Sequence, residues 1–229
     1  GGVKALADGV ENNLTIDGRV NLNLLNLAAR DTFFSGFADT SVRLFGSNSN
    51  PRLTGIANVV NGSIATFLGS DRYTMDRVQA RIVFTSDQVE LESATGYLGG
   101  GRFTASGGGL LGQGRGKTLF DGLAMRSFRF SLDGNNVTLP LPKDFITTGD
   151  ARLEVTGIRR SPTESIEMTV TGRVLARRSL YSKDIDLANV VSSRRDPVLG
   201  SGGSGVTVPR FDIVIEGRDE LIVRNNIAD

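Results

Sequence analysis

Apolar and polar residues alternate with a period of two along most of this chain. Leu14, Ile16, Val20, Leu22 and Leu24 share one parity while Thr15, Asp17, Arg19, Asn21 and Asn23 hold the other, the signature of a half-buried strand. Val42 and Leu44 lead to a turn cluster at residues 46–51, after which Leu53, Gly55, Ala57 and Val59 resume one face. Asn61-Gly62 is the strongest short hairpin dipeptide, so a return strand is expected from Ser63. Val78, Ala80, Ile82 and Phe84 alternate before Ser86-Asp87-Gln88, and Val89 and Leu91 continue beyond it, a second hairpin. Phe103 and Ala105 mark a short strand over 102–106, with a loop expected in the glycine-rich residues after it. Phe128, Phe130 and Leu132 precede an expected turn at Asp133-Gly134-Asn135, and Val137, Leu139 and Leu141 follow until Pro140 and Pro142 stop normal pairing. Leu153 and Val155, then Ile166, Met168, Val170 and Val174, form another hairpin around Ser161-Pro162-Thr163. Phe211, Ile213 and Ile215, then Leu221 and Val223 after Gly217-Arg218-Asp219, form the last.

No segment keeps a 3.6-residue apolar period for three turns. Any helix is therefore short, with 23–30 and 118–126 the candidates, and residues 181–191 read as a strand end or as one helical turn capped by Asp184. The chain is expected to be all-β, an antiparallel meander of about 14 strands whose sheet is roughly 65 Å wide at one strand spacing each. Repeated strand–turn–strand units bury their apolar faces by stacking into one elongated surface. The apolar stripe then either closes as a sandwich or solenoid core or stays open as a groove for aliphatic chains. Residues 1–229 read as one elongated segment with a flexible Gly/Ser-rich loop at 192–208. The start at Gly1-Gly2 and the end at Asp229, just after an apolar run, suggest a piece excised from something longer.

Composition narrows the function. The 29 glycines exceed ordinary usage and supply turns. A net charge of +1 gives no global field to recruit nucleic acid or an anionic membrane. The absence of His and Cys removes the commonest general base, the usual metal ligands and every Ser-His or Cys-His pair. No run approaches the roughly 20 apolar residues of a spanning helix.

The chemical motifs fail on context. Gly107-Gly108-Gly109-Leu110-Leu111-Gly112 matches GxGxxG, but a dinucleotide loop needs a βαβ setting, and no cofactor is expected. Gly116-Lys117-Thr118 ends like a phosphate loop, with Leu111 where its first glycine belongs. Glu90 with Glu92, and Asp184 with Asp186, place carboxylates about 7 Å apart on one strand face, within glycosidase reach. Both pairs lie on polar faces where charges are ordinarily solvated, so no catalytic residue, no metal and no enzyme activity is expected. The doublets Arg159-Arg160, Arg177-Arg178 and Arg194-Arg195 read as solvated strand edges, or else as contacts to phospholipid headgroups.

Three stretches carry a resemblance: residues 50–63 (NPRLTGIANVVNGS), Val89 to Gly96 with Gly99 to Phe103, and Leu180 to Leu187. Together with Arg218 to Asp229 they resemble the TamB family of translocation and assembly modules, part of the AsmA-like, bridge-like lipid transport superfamily. That resemblance implies a Gram-negative envelope protein, anchored in the inner membrane by a helix outside this chain and crossing the periplasm. It implies a β-sheet folded into a taco, with a hydrophobic groove that conducts phospholipid acyl chains in outer-membrane biogenesis. The family's partner is a TamA-like outer-membrane barrel. The residues expected to line the groove are Leu14, Ile16, Val20, Leu22, Leu24, Val78, Ile82, Phe84, Val89, Leu91, Phe103, Phe128, Phe130, Val137, Leu153, Val155, Ile166, Met168, Val170, Phe211, Ile213, Ile215, Leu221 and Val223. A structural or adhesive β-repeat with a closed core is the alternative.

Overall fold

The structure is a computed structural model that describes residues 11–27, 32–47, 50–68, 71–112, 125–139, 145–160, 164, 166–181 and 210–223. Its elements are β1 (Glu11–Asn21), the 3-10 helix η1 (Leu22–Leu27), β2 (Thr32–Ser47), β3 (Asn50–Leu68), β4 (Asp71–Ser86), β5 (Gln88–Leu98), β6 (Gly101–Leu111), β7 (Met125–Leu139), β8 (Phe145–Ile158), β9 (Glu167–Tyr181) and β10 (Arg210–Val223). The ten strands form one sheet in chain order. The sheet is open: it does not close on itself. Its neighbours are antiparallel except that β10 lies parallel to β9, so the sheet is mixed rather than a pure meander. Nothing in an alternating pattern separates the two pairings.

Strands are fewer and longer than the alternation suggested, because chain reversals expected at three places are bulges. At Asn61-Gly62 a type I′ turn needs positive φ at both residues. Only Asn61 has it, at 51°, and β3 runs on to Leu68 with its register to β4 shifted between Val59 and Gly62. β7 likewise passes through Gly134 with a shift before Val137, and β10 through Gly217 with a shift before Glu220. Each bulge adds an unpaired residue and twist without reversing the chain. Ten strands span about 43 Å across the sheet, while the 19 residues of β3 reach roughly 60 Å along it. The glycine run 107–109, expected as loop, lies inside β6. The hairpins at 47–50 and 86–88 do form. Of the helix candidates, η1 occupies 22–27 and Met125-Arg126 begin β7. The rest of 118–126, residues 182–191, Leu141 and the 192–208 loop lie outside the described residues.

Register puts the apolar parity on one face. One row runs Thr40, Ala57, Ile82, Leu91, Gly107, Phe130, Val155, Val170 and Phe211 across β2 to β10. Small residues sit beside large ones along such rows: Gly107 between Leu91 and Phe130, Gly109 between Val89 and Phe128, Gly96 beside Phe103. A Cβ on Gly96 would meet the Phe103 ring at 2.9 Å. Missing side-chain volume lets this face become concave. Cα atoms of β5 and β7 come within 8 Å with β6 between them, whereas two strand spacings in a flat sheet are about 9.6 Å.

The curl is tightest over β4 to β9. There Val78, Leu98, Phe103, Val137, Leu139, Ala151, Leu153, Val170 and Val174 form one buried cluster. Burial falls toward the edges, and Leu14 on β1 is 51% exposed where Val137 is 0%. Thr147 and Ser179 extend the buried end as a hydroxyl pair 3.0 Å apart. Thr147→Val is expected to lower stability by about 1–3 kcal/mol, because Ser179 is left buried without a partner. Adding Ser179→Ala should restore most of that loss, as read from urea midpoints.

Candidate functional site

Beneath the curl lies an apolar cavity of about 460 Å³, lined by residues of every element from η1 to β8. η1 supplies Leu22 and Leu25, β2 Phe34, β3 Val59 and Ile64, β4 Met75, Val78, Ala80 and Ile82. Val89, Leu91 and Ala94 of β5, Phe103 and Ala105 of β6, Met125, Phe130 and Leu132 of β7, and Val155 of β8 complete the wall. Among the described residues Ser131 is the only lining residue with a polar side chain, and its register with Ser106 and Glu154 sets that side chain on the opposite face. Water at this wall finds no polar side chain among the described residues to bind.

η1 crosses this face because β1 ends at Asn21 rather than continuing as a strand. The Asn26 side chain accepts from the Phe34 amide at 2.7 Å and donates to the Phe34 carbonyl at 3.1 Å. This fastens the 3-10 turn to β2 and brings Leu22 and Leu25 over the cavity. Leu24, expected to line the groove, is instead 58% exposed, since a 3-10 turn abandons the period of two.

Of the other expected lining residues, Leu22, Val78, Ile82, Val89, Leu91, Phe103, Phe130 and Val155 meet at the cavity. Val137, Leu153 and Val170 belong to the adjoining buried cluster, with Ile213 packed against it. Ile16, Phe84, Phe128 and Met168 share one row of the same face, toward the β4–β5 turn. Leu14 and Val20 lie on that face at β1, and Phe211 and Ile215 at β10. Ile166 precedes β9 outside the cavity, and Leu221 and Val223 pair with Ser179 and Tyr181 through the β10 backbone.

Several wall residues were not anticipated. Phe34 is hidden in the unalternating Phe33-Phe34, Leu25 and Met125 fall in stretches that read as helix, and Ile64 follows a bulge that resets parity.

The opposite face is ionic. Cross-strand pairs join Arg19 to Asp39 at 2.9 Å, Arg81 to Glu92 at 2.7 Å, Arg152 to Asp133 at 3.0 Å and Arg177 to Asp150 at 2.7 Å. Hydrogen bonds from Arg19 hold the Asp39 carboxyl below the usual carboxylate range, and Asp39 in turn raises the Arg19 guanidinium. Exposed pairs of this kind add little stability; their effect is to keep this face in water and the other face against itself. Glu92 is committed to Arg81, and a register shift beside it breaks the simple alternation with Glu90. Asp184 and Asp186 lie outside the described residues. The GxGxxG match is strand. Arg160 and Arg177 are ion-paired to Glu167 and Asp150 on interior strands, so these doublets do not guard an edge, and Arg194-Arg195 lie outside the described residues. No family model, curated protein or solved structure matches the chain.

Proposed function

We propose that the concave face binds phospholipid acyl chains, as one segment of a lipid-conducting bridge of the TamB kind that serves outer-membrane biogenesis from the periplasm. The observation that carries the reading is the cavity wall: apolar side chains from η1 through β8 converge on one space, and among the described residues no polar side chain enters it. Each methylene transferred there from water gains about 0.8 kcal/mol, and nothing in the wall distinguishes one acyl chain from another. The lipid's headgroup would remain in water at the open side of the sheet. On this reading the face binds and guides without reacting, and the protein's partner is a TamA-like outer-membrane barrel.

A second reading, a structural β-repeat with a closed core, is favoured by the buried cluster around Val137 and Leu139. That cluster runs over β4 to β9 and shares Val78 and Phe103 with the cavity wall, whereas the cavity reaches on to η1 and β2. Detergent-free purification from a Gram-negative host, followed by solvent extraction and mass spectrometry, separates the two. Co-purifying phospholipid is expected for the groove, and its absence would favour the closed core.

A further inference from the structure

The ionic face carries an apolar, cation-rich region at the strand ends beside η1. Phe33, Phe37 and Val60 stand there 51%, 47% and 46% exposed. The Phe37–Val60 pairing and the Ser63 hydroxyl's hydrogen bond to Asp76 place these residues on the ionic face, and the Asp76–Tyr97–Arg102 register continues the same face to β6. Arg77 lies over the Tyr97 ring at 3.8 Å and Arg102 at 5.8 Å. Arg72, also exposed, shares the parity of Asp76. Among the described residues no carboxylate forms an ion pair with Arg72, Arg77 or Arg102, although seven other arginines of the chain are paired. Asp76 is the acid in their midst, and its carboxylate accepts a hydrogen bond from the Ser63 hydroxyl of β3 at 3.2 Å. Arg77 adopts a φ of 51°, a region that side chains other than Gly, Asn and Asp rarely enter, and this turns it onto the ring.

We infer that this end of the ionic face docks on the surface of an anionic phospholipid bilayer, with Phe33 and Phe37 at the acyl boundary and the three arginines among the phosphates. The patch reaches from β2 to β6, about 19 Å. It combines the two things an interfacial site needs, apolar side chains that enter the headgroup layer and cations that meet its charge. Stacking on Tyr97 leaves the guanidinium N–H edges available for phosphate oxygens. A second copy of the chain suits the patch less well, because an isologous contact would set three arginines against three. The inference rests on these residues and not on the groove.

The test is co-sedimentation of the full chain with phosphatidylcholine vesicles, with and without phosphatidylglycerol, at low ionic strength where surface charge is least screened. Binding is expected only with phosphatidylglycerol. Arg77→Gln with Arg102→Gln should weaken it about twentyfold or more, at roughly fivefold per arginine, and Phe33→Ser with Phe37→Ser by more than about tenfold. Arg152→Gln, an ion-paired control elsewhere on the same face, should leave it unchanged. Circular dichroism checks that each variant is folded. Wild-type protein that ignores anionic vesicles, or folded variants that bind them as well as wild type, would overturn the inference. So would sedimentation velocity showing that the Phe exchanges merely split a dimer.

Discussion

Ile82→Asp is expected to empty the groove of lipid. Ile82 sits on the middle of the inner face, between Ala57 and Leu91 in register, and its side chain lines the cavity. Among the described wall residues a carboxylate there meets neither a cation nor a side-chain donor, and holding it beside an acyl chain costs several kcal/mol. Because the cavity lies on the open side of the sheet, the carboxylate is hydrated once the lipid has left. The fold should therefore survive where lipid binding does not. Phospholipid recovered by solvent extraction should fall at least about tenfold, while Ile82→Leu, equal in volume and apolar, should retain the wild-type amount. Loss of lipid in the Leu variant as well would mean that the effect was packing rather than polarity.

Gly107→Val should unfold the sheet at its centre. Gly107 takes a φ of 144°, and a Cβ there would lie 2.7 Å from the Phe130 Cα and 2.9 Å from its ring. The positive φ costs an L-residue about 1–2 kcal/mol, and overpacking against a neighbouring backbone adds about 1–3 kcal/mol. The expected loss is therefore roughly 2–5 kcal/mol, a large share of the stability of a domain this size. Gly217→Ala, where an added Cβ meets nothing within 4 Å, should stay within about 0.5 kcal/mol of wild type. Equal urea midpoints for the two variants would show that the inner glycines do not make room for the rings beside them.

These two positions also mark how far the fold was legible in the chain. Alternation around Ile82 gave its strand, its hairpin to β5 and its face, because a period of two translates directly into sides of a sheet. Gly107 was read as loop because its partners, Leu91 and Phe130, lie sixteen and twenty-three residues away, and only the register shows that the glycine fits between them. The bulges at Asn61 and Asn136 hid continuity in the same way: a residue in positive φ inside a strand carries the local signature of a turn. Of the cavity wall, the strand-borne residues Val78, Ile82, Val89 and Leu91 were legible. Leu25 and Phe34 were not, since a 3-10 turn and the register shift near Gly36 break the count. The parallel placement of β10 depends on residues far from it in sequence and leaves no mark in its own alternation.

The concave face, as a site for acyl chains, is tested most directly by photo-crosslinking in cells. A photoreactive amino acid at Leu91 or Phe130, in the cavity wall, is expected to become covalently attached to phospholipid on irradiation. The same residue at Arg129, an exposed position outside that wall and remote from the Tyr97 patch, is expected to give none. Equal labelling from both faces, or no lipid adduct from Leu91 and Phe130 in a folded protein, would contradict a lipid-binding groove.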